Sequence, residues 1–187
     1  MGENKKLLTR TLIASALVLT TVGSGFHSSS NYNGINNVAK ASEITDRDLW
    51  KNVRDALKEA NIIDKTANET VGVTYNLNNG GESSITGTAD LDELSNFNNK
   101  PINTDSVKRI DLSRINPNGN RFDANDAWKK LTDKLKEKQI VKNGDTVTIH
   151  SKDKNDPPIS AKVGENYNGN KGLMLNQRDI TKITITK

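Results

Sequence analysis

The chain has 187 residues, 27 basic against 23 acidic side chains, few aromatics and no cysteine. The missing cysteine excludes a disulfide scaffold and thiolate metal or redox chemistry, so folding must rest on a hydrophobic core. The length suits one large domain or two small ones.

In chain order, Lys5, Lys6 and Arg10 form a positive region, followed by the uncharged run TLIASALVLTTVG at 11–23. That run is short for a membrane span, which needs about 20 apolar residues. Ala39-Lys40-Ala41 supplies a small-x-small cleavage pattern, so residues 1–41 are expected to be a secretory signal peptide and 42–187 the mature, extracellular chain. Removing the leader takes away four basic residues and one acidic residue, leaving 23 against 22, or +1. The basic character of the whole chain therefore gives no support to nucleic acid as a partner. The mature halves differ in sign, −4 over 42–115 and +5 over 116–187. Such asymmetry can steer a partner.

LWKNVRDALKEANI at 49–62 places Trp50, Val53 and Leu57 at i, i+3, i+7, the stripe of an amphipathic helix. Asp46 stands just upstream as an N-cap or first-turn acid. Alternation predicts strands at VGVTYN (71–76) and SSITGTA (83–89), then an extended closing segment over 101–115. INPNGN (115–120) is a boundary of turn residues. AWKKLTDKLKEKQI at 127–140 then repeats the helix, with Trp128, Leu131 and Leu135 on its stripe and Asp123 upstream. TVTIHS (146–151), PISAKVG (158–164) and LMLNQRDITKITITK (173–187) repeat the strands. A shift of 78 aligns the helices and a shift of 73 the closing strands, the difference lying in loop length.

The pattern predicts an α+β protein of two tandem repeats, 42–115 and 116–187, each an amphipathic helix packed on a small β-sheet. Each tryptophan should anchor its helix to the strands that follow. Whether the repeats form two domains or share one sheet is open at this level.

AWKKLTDKLKE, NGDTVTIHSK and the closing LNQRDITKITITK, with DSVKRIDL (105–112) in the first half, resemble the C-terminal β-grasp domain of staphylococcal superantigens and superantigen-like proteins. The same unit recurs in the staphylococcal extracellular adherence (MAP-domain) proteins. The chain departs from that pattern before its first helix, where 42–48 is too short for two strands. The resemblance implies a secreted, non-enzymatic Gram-positive protein that binds a host extracellular or leukocyte protein, as an immune-evasion or adhesion type virulence factor.

The residues themselves point away from catalysis. His150 is the one histidine after the leader, and no Gly-x-Ser-x-Gly elbow or HExxH pattern accompanies it. A hydrolase would need a carboxylate pair that no motif singles out. Asp153, Asn155 and Asp156, or Asp90, Asp92 and Glu93, could be imagined around calcium. Neither set follows the EF-hand order, and no metal or cofactor is expected. Lys129, Lys130, Lys134, Lys136 and Lys138, with Lys142 just beyond, lie off the apolar stripe of the second helix and are the candidate binding residues. Their alternative partner is an anionic cell-wall polymer that would retain the protein on the envelope.

Overall fold

A computed structural model describes residues 41–92, 101–115, 117 and 119–187; the expected signal peptide lies outside the described residues, apart from Ala41. The protein is α+β. A three-residue strand β1 (Glu43–Thr45) leads into helix α1 (Asp46–Glu59), followed by β2 (Glu69–Asn76), β3 (Glu82–Thr88), β4 (Pro101–Asn103) and β5 (Val107–Arg114). The same order returns as β6 (Arg121–Asp123), α2 (Ala124–Glu137), β7 (Thr146–Ser151), β8 (Ile159–Lys162), β9 (Met174–Asn176) and β10 (Ile180–Thr186).

Both helices begin and end in the same way. Thr45 caps α1 by accepting from Asp48 N, with Asp46 in the first turn, and Asp123 caps α2 by accepting from Asn125 N and Asp126 N. The backbone amides that Asp123 accepts, Asp126 first, hold its carboxyl below the usual range. After each helix one residue takes a left-handed conformation, Asn61 at φ 59° and Gln139 at φ 60°. The chain then folds back, and Ile62 N and Ile140 N bond Leu57 O and Leu135 O. Both isoleucines are fully buried.

The closing segments are not continuous strands. Asn103-Thr104-Asp105-Ser106 and Asn176-Gln177-Arg178-Asp179 interrupt them with a 3₁₀ turn. Short polar side chains bond to nearby backbone there, Ser106 Oγ to Asn103 O and Arg178 N to Asn176 Oδ1. The pieces before the turns, β4 and β9, pair instead with β1 and β6 as two small ribbons.

The six long strands form one antiparallel sheet in the order β3-β2-β5-β10-β7-β8. Arg114 ends β5 and Arg121 begins β6, so the 115–120 boundary separates the halves in sequence only. In space β5 and β10 pair, with Asp111 opposite Lys182 and Ile110 opposite Ile183. Both helices cover one face. Leu49, Trp50, Leu57, Leu131 and Leu135 pack with Val71, Val73, Ile110, Val147, Ile149 and Ile183 in a single apolar cluster. Burying each such side chain contributes about 1.5–3 kcal/mol. Each tryptophan ties its helix to the sheet through the indole N–H: Trp50 Nε1 donates to Val71 O at 2.9 Å and Trp128 Nε1 to Val147 O at 2.8 Å.

An ion pair closes the core edge of each half, buried in the first and partly exposed in the second. Arg114 Nε donates to Glu69 Oε1 at 2.8 Å and Arg114 Nη2 to Ile62 O at 2.8 Å, while Glu69 Oε2 accepts from Asp64 N. In the second half Lys187 Nζ donates to Asp145 Oδ2 at 3.1 Å and to Ile140 O at 2.8 Å, and Asp145 Oδ2 accepts from Lys142 N. Arg114 also donates to Ile180 O, across the boundary between halves.

The face of the sheet away from the helices is polar. One cross-strand row runs Ser84, Thr74, Arg109, Thr184, Thr148, Ser160, and a second runs Thr86, Gly72, Asp111, Lys182, His150. His150 Nε2 meets Thr184 Oγ1 at 3.0 Å. Partial burial first, and then the opposing Lys182 ammonium, hold the imidazole below its usual value of 6.5. The neutral form is therefore the one the fold favours. Its contribution is complete above pH 6.5 and is lost as pH falls through the depressed folded value. Thermal melts between pH 7.5 and 4.5 should show a loss of stability on acidification that His150→Gln reduces. An unchanged slope in H150Q would remove His150 as its source.

Candidate functional site: the groove beside the second helix

With about 3.6 residues per turn, the expected lysines fall on opposite flanks of α2. Lys130, Lys134 and Lys138 face the α1 side. There Lys134 Nζ contacts Glu59 Oε2 and Glu137 Oε2, each at 2.9 Å, and Lys138 Nζ reaches Glu59 Oε1 at 3.6 Å. Glu137 first and then Glu59 raise the Lys134 ammonium above its ordinary value. Lys134 and Lys138 thus lace the two helices together, and the six lysines do not make one free basic surface. A helical repeat hides this in sequence, because Glu59 lies 75 positions before Lys134.

Lys129 and Lys136 lie on the other flank, beside the turn that follows β8. Between that turn and α2 runs a groove of about 280 Å³, lined by Trp128, Thr132, Asp133, Val163, Glu165 and Tyr167 along with the two lysines. Lys142 is exposed some distance away, beside Gln139, Val141 and Asp105.

Tyr167 forms the aromatic wall, its ring centroid 5.1 Å from that of Trp128 and tilted by 51°. The Asn170 amide donates to the phenol oxygen. Burial pushes the Tyr167 phenol up, and the Asn170 bond acts against it. Thr132 is buried at the groove floor, and its hydroxyl turns back to the Trp128 and Lys129 carbonyls at 3.0 Å each. Around this floor Lys129, Lys136, Asp133 and Glu165 are all exposed, and none has an ion-pair partner among the described residues. The site therefore combines a fixed aromatic pair with two charges of each sign, on a helix held by its core stripe. Such a surface can recognise a charged side chain.

A model of the family described as Domain of unknown function (DUF4888) matches residues 45–185. The chain belongs to this family. The match runs from the Thr45 cap of α1 into the last residues of β10, and so covers both helices, the six-stranded sheet and the groove of the DUF4888 domain. No curated protein matches the chain.

The other sequence candidates are dispersed in the DUF4888 domain. Asp153 Oδ1 accepts from Asn155 N and Asn155 Nδ2, which folds that loop on itself. Asp92 pairs with Lys65 at 2.9 Å, the lysine that chiefly lowers its carboxyl, and Glu93 lies outside the described residues. Among the described residues no group of three or more His, Cys, Asp or Glu side chains is placed to hold a metal. Nor is any helix there long and apolar enough to cross a membrane. Tyr167 and Glu165 are groove residues that the sequence pattern missed. The one available signal was a tyrosine in the polar loop ENYNGN (165–170).

Proposed function

We propose that the protein is a secreted, non-enzymatic binding module of two tandem β-grasp-like repeats that engages a host extracellular or leukocyte protein. The observation that carries this is the groove beside α2, where Trp128 and Tyr167 stand among four exposed charges without ion-pair partners in the described chain. The duplication is supported by the paired anchors: Trp50 and Trp128 on sheet carbonyls, Asn61 and Gln139 in left-handed turns, Arg114 and Lys187 on the Ile62 and Ile140 carbonyls. Secretion rests on the leader pattern of residues 1–41. His150, the sole histidine of the mature stretch, lies on the polar face of the sheet beside Thr184 and Lys182, and no sequence motif accompanies it.

The test is a pull-down. Mature 42–187 is immobilised, exposed to plasma and then to neutrophil granule extract, and washed at physiological salt. One near-stoichiometric protein that free 42–187 competes away is the expected result. Specific retention of nothing would leave the second reading, retention on anionic wall polymers. That reading is favoured by the exposure of Lys129, Lys130, Lys136 and Lys142. It predicts recovery of the protein in a salt wash of cells, since contacts between exposed charges are screened by salt.

A further inference from the structure

The groove beside Trp128 has a counterpart along the first helix, a hollow of about 350 Å³ whose wall includes Arg54 lying over the Trp50 ring, and the two differ in whether the tryptophan itself lines the space. A shift of 78 carries Lys51, Asp55 and Lys58 onto Lys129, Asp133 and Lys136, but it carries Arg54 onto Thr132. The flanking turns also correspond. Ala89 N and Val163 N bond Glu69 O and Asp145 O, both at 2.8 Å, and Leu91 N and Glu165 N close the turns on Thr88 O and Lys162 O.

In the first half the arginine occupies its own site. The Arg54 guanidinium carbon lies 5.3 Å from the Trp50 ring centroid, Nε and Nη2 donate to Asp55 Oδ1 at 2.9 and 2.7 Å, and Nη1 donates to Leu91 O and lies 3.7 Å from Asp92 Oδ1, a carboxylate that Asn166 replaces in the second half. The residue is only 2% exposed. In the second half Thr132 is too short to reach these positions and has turned its hydroxyl to the helix backbone. The indole, 3% exposed with the Tyr167 ring centroid 5.1 Å away, the carboxylate of Asp133 and the turn at Glu165 remain, and the groove runs along this aromatic pair.

We propose that the groove beside α2 accepts an arginine side chain of the partner protein. Trp128, Asp133 and the Glu165 turn take the places that Trp50, Asp55 and the Leu91 turn hold around Arg54. A guanidinium suits the site because its planar fork can stack on an aromatic ring while donating to several oxygens; an ammonium offers a point charge. Lys51 and Lys58 also flank Arg54, offset there by Asp55, Glu59 and Asp92, whereas Lys129 and Lys136 have Asp133 and Glu165 beside them in the groove. The two groove lysines favour an arginine flanked by acidic residues. The partner is that of the host-binding reading, but the site itself rests on the comparison of the two halves.

The experiment follows the indole N–H resonances of Trp50 and Trp128 in full-length mature protein by ¹H–¹⁵N NMR. The probe is a capped peptide with one arginine between two aspartates, and the control is the same peptide with citrulline. The expected result is a saturable shift of the Trp128 resonance, with Trp50 unmoved, at least tenfold weaker for citrulline. Thr132→Arg should fill the groove from within, abolish that shift and raise the melting temperature, whereas Thr132→Gln should not raise it. No shift at millimolar peptide, or equal shifts with both peptides, overturns the proposal. Full retention of the arginine response in a folded T132R protein also overturns it. The pull-down fails independently: an arginine response without a captured host protein keeps the site and removes the host partner.

Discussion

Replacing Arg114 with Met should cost about 3–5 kcal/mol of folding stability, the range for a buried ion pair broken from one side. Arg114 and Glu69 are 3% and 7% exposed, so the remaining carboxylate would have little access to water. The Ile62 and Ile180 carbonyls would lose a donor in the same step. Urea unfolding of R114M should show a much lower midpoint, and the double variant R114M/E69Q should recover part of the loss because no lone charge stays behind. If R114M unfolds within 1 kcal/mol of wild type, near the size of an ordinary hydrogen bond, the pair is solvated and contributes little. Lys187→Met should cost less, because its side chain is 33% exposed and water can reach it.

The second large effect concerns the tryptophans. Trp50→Ala and Trp128→Ala should each cost about 3–5 kcal/mol, the usual range for emptying a buried aromatic site. W50A should lie at the upper end, since Arg54 loses its ring partner while remaining buried. Each variant leaves one tryptophan, in the opposite half, as a fluorescence reporter. In W50A the Trp128 signal should change at the same urea concentration as the circular dichroism, and the reverse should hold for Trp50 in W128A. The reason is the β5–β10 pairing, which makes one sheet of both halves. Two separated midpoints would show that the halves unfold independently.

Much of the fold was legible because its signals are local. The stripe of Trp50, Val53 and Leu57 repeats within two turns, and alternation in VGVTYN and TVTIHS is complete within six residues. The three-residue ribbons β1–β4 and β6–β9 carried no such signal. A strand that short shows no period, and its register depends on a partner far along the chain, Asn103 for Glu43 and Asn176 for Arg121. The candidate site was legible only in part. Lys129 and Lys136 reach the groove, whereas Lys134 and Lys138 are held by Glu59, a contact set by the packing of α1 against α2.

By itself the sequence determined which faces of the helices and strands are apolar and that acidic residues stand at each helix start, because these depend on spacing along the chain. Only the tertiary structure decided that β5 and β10 lie together at the centre of the sheet. Each half alone would leave one of these Ile-bearing closing strands as an open edge with unpaired backbone groups, and their pairing satisfies both while setting Asp111 against Lys182. The same assembly holds each helix against its own flanking turn. Whether a side chain such as Arg54 fills that flank, or Thr132 leaves it open, is visible only when the two halves are compared in space.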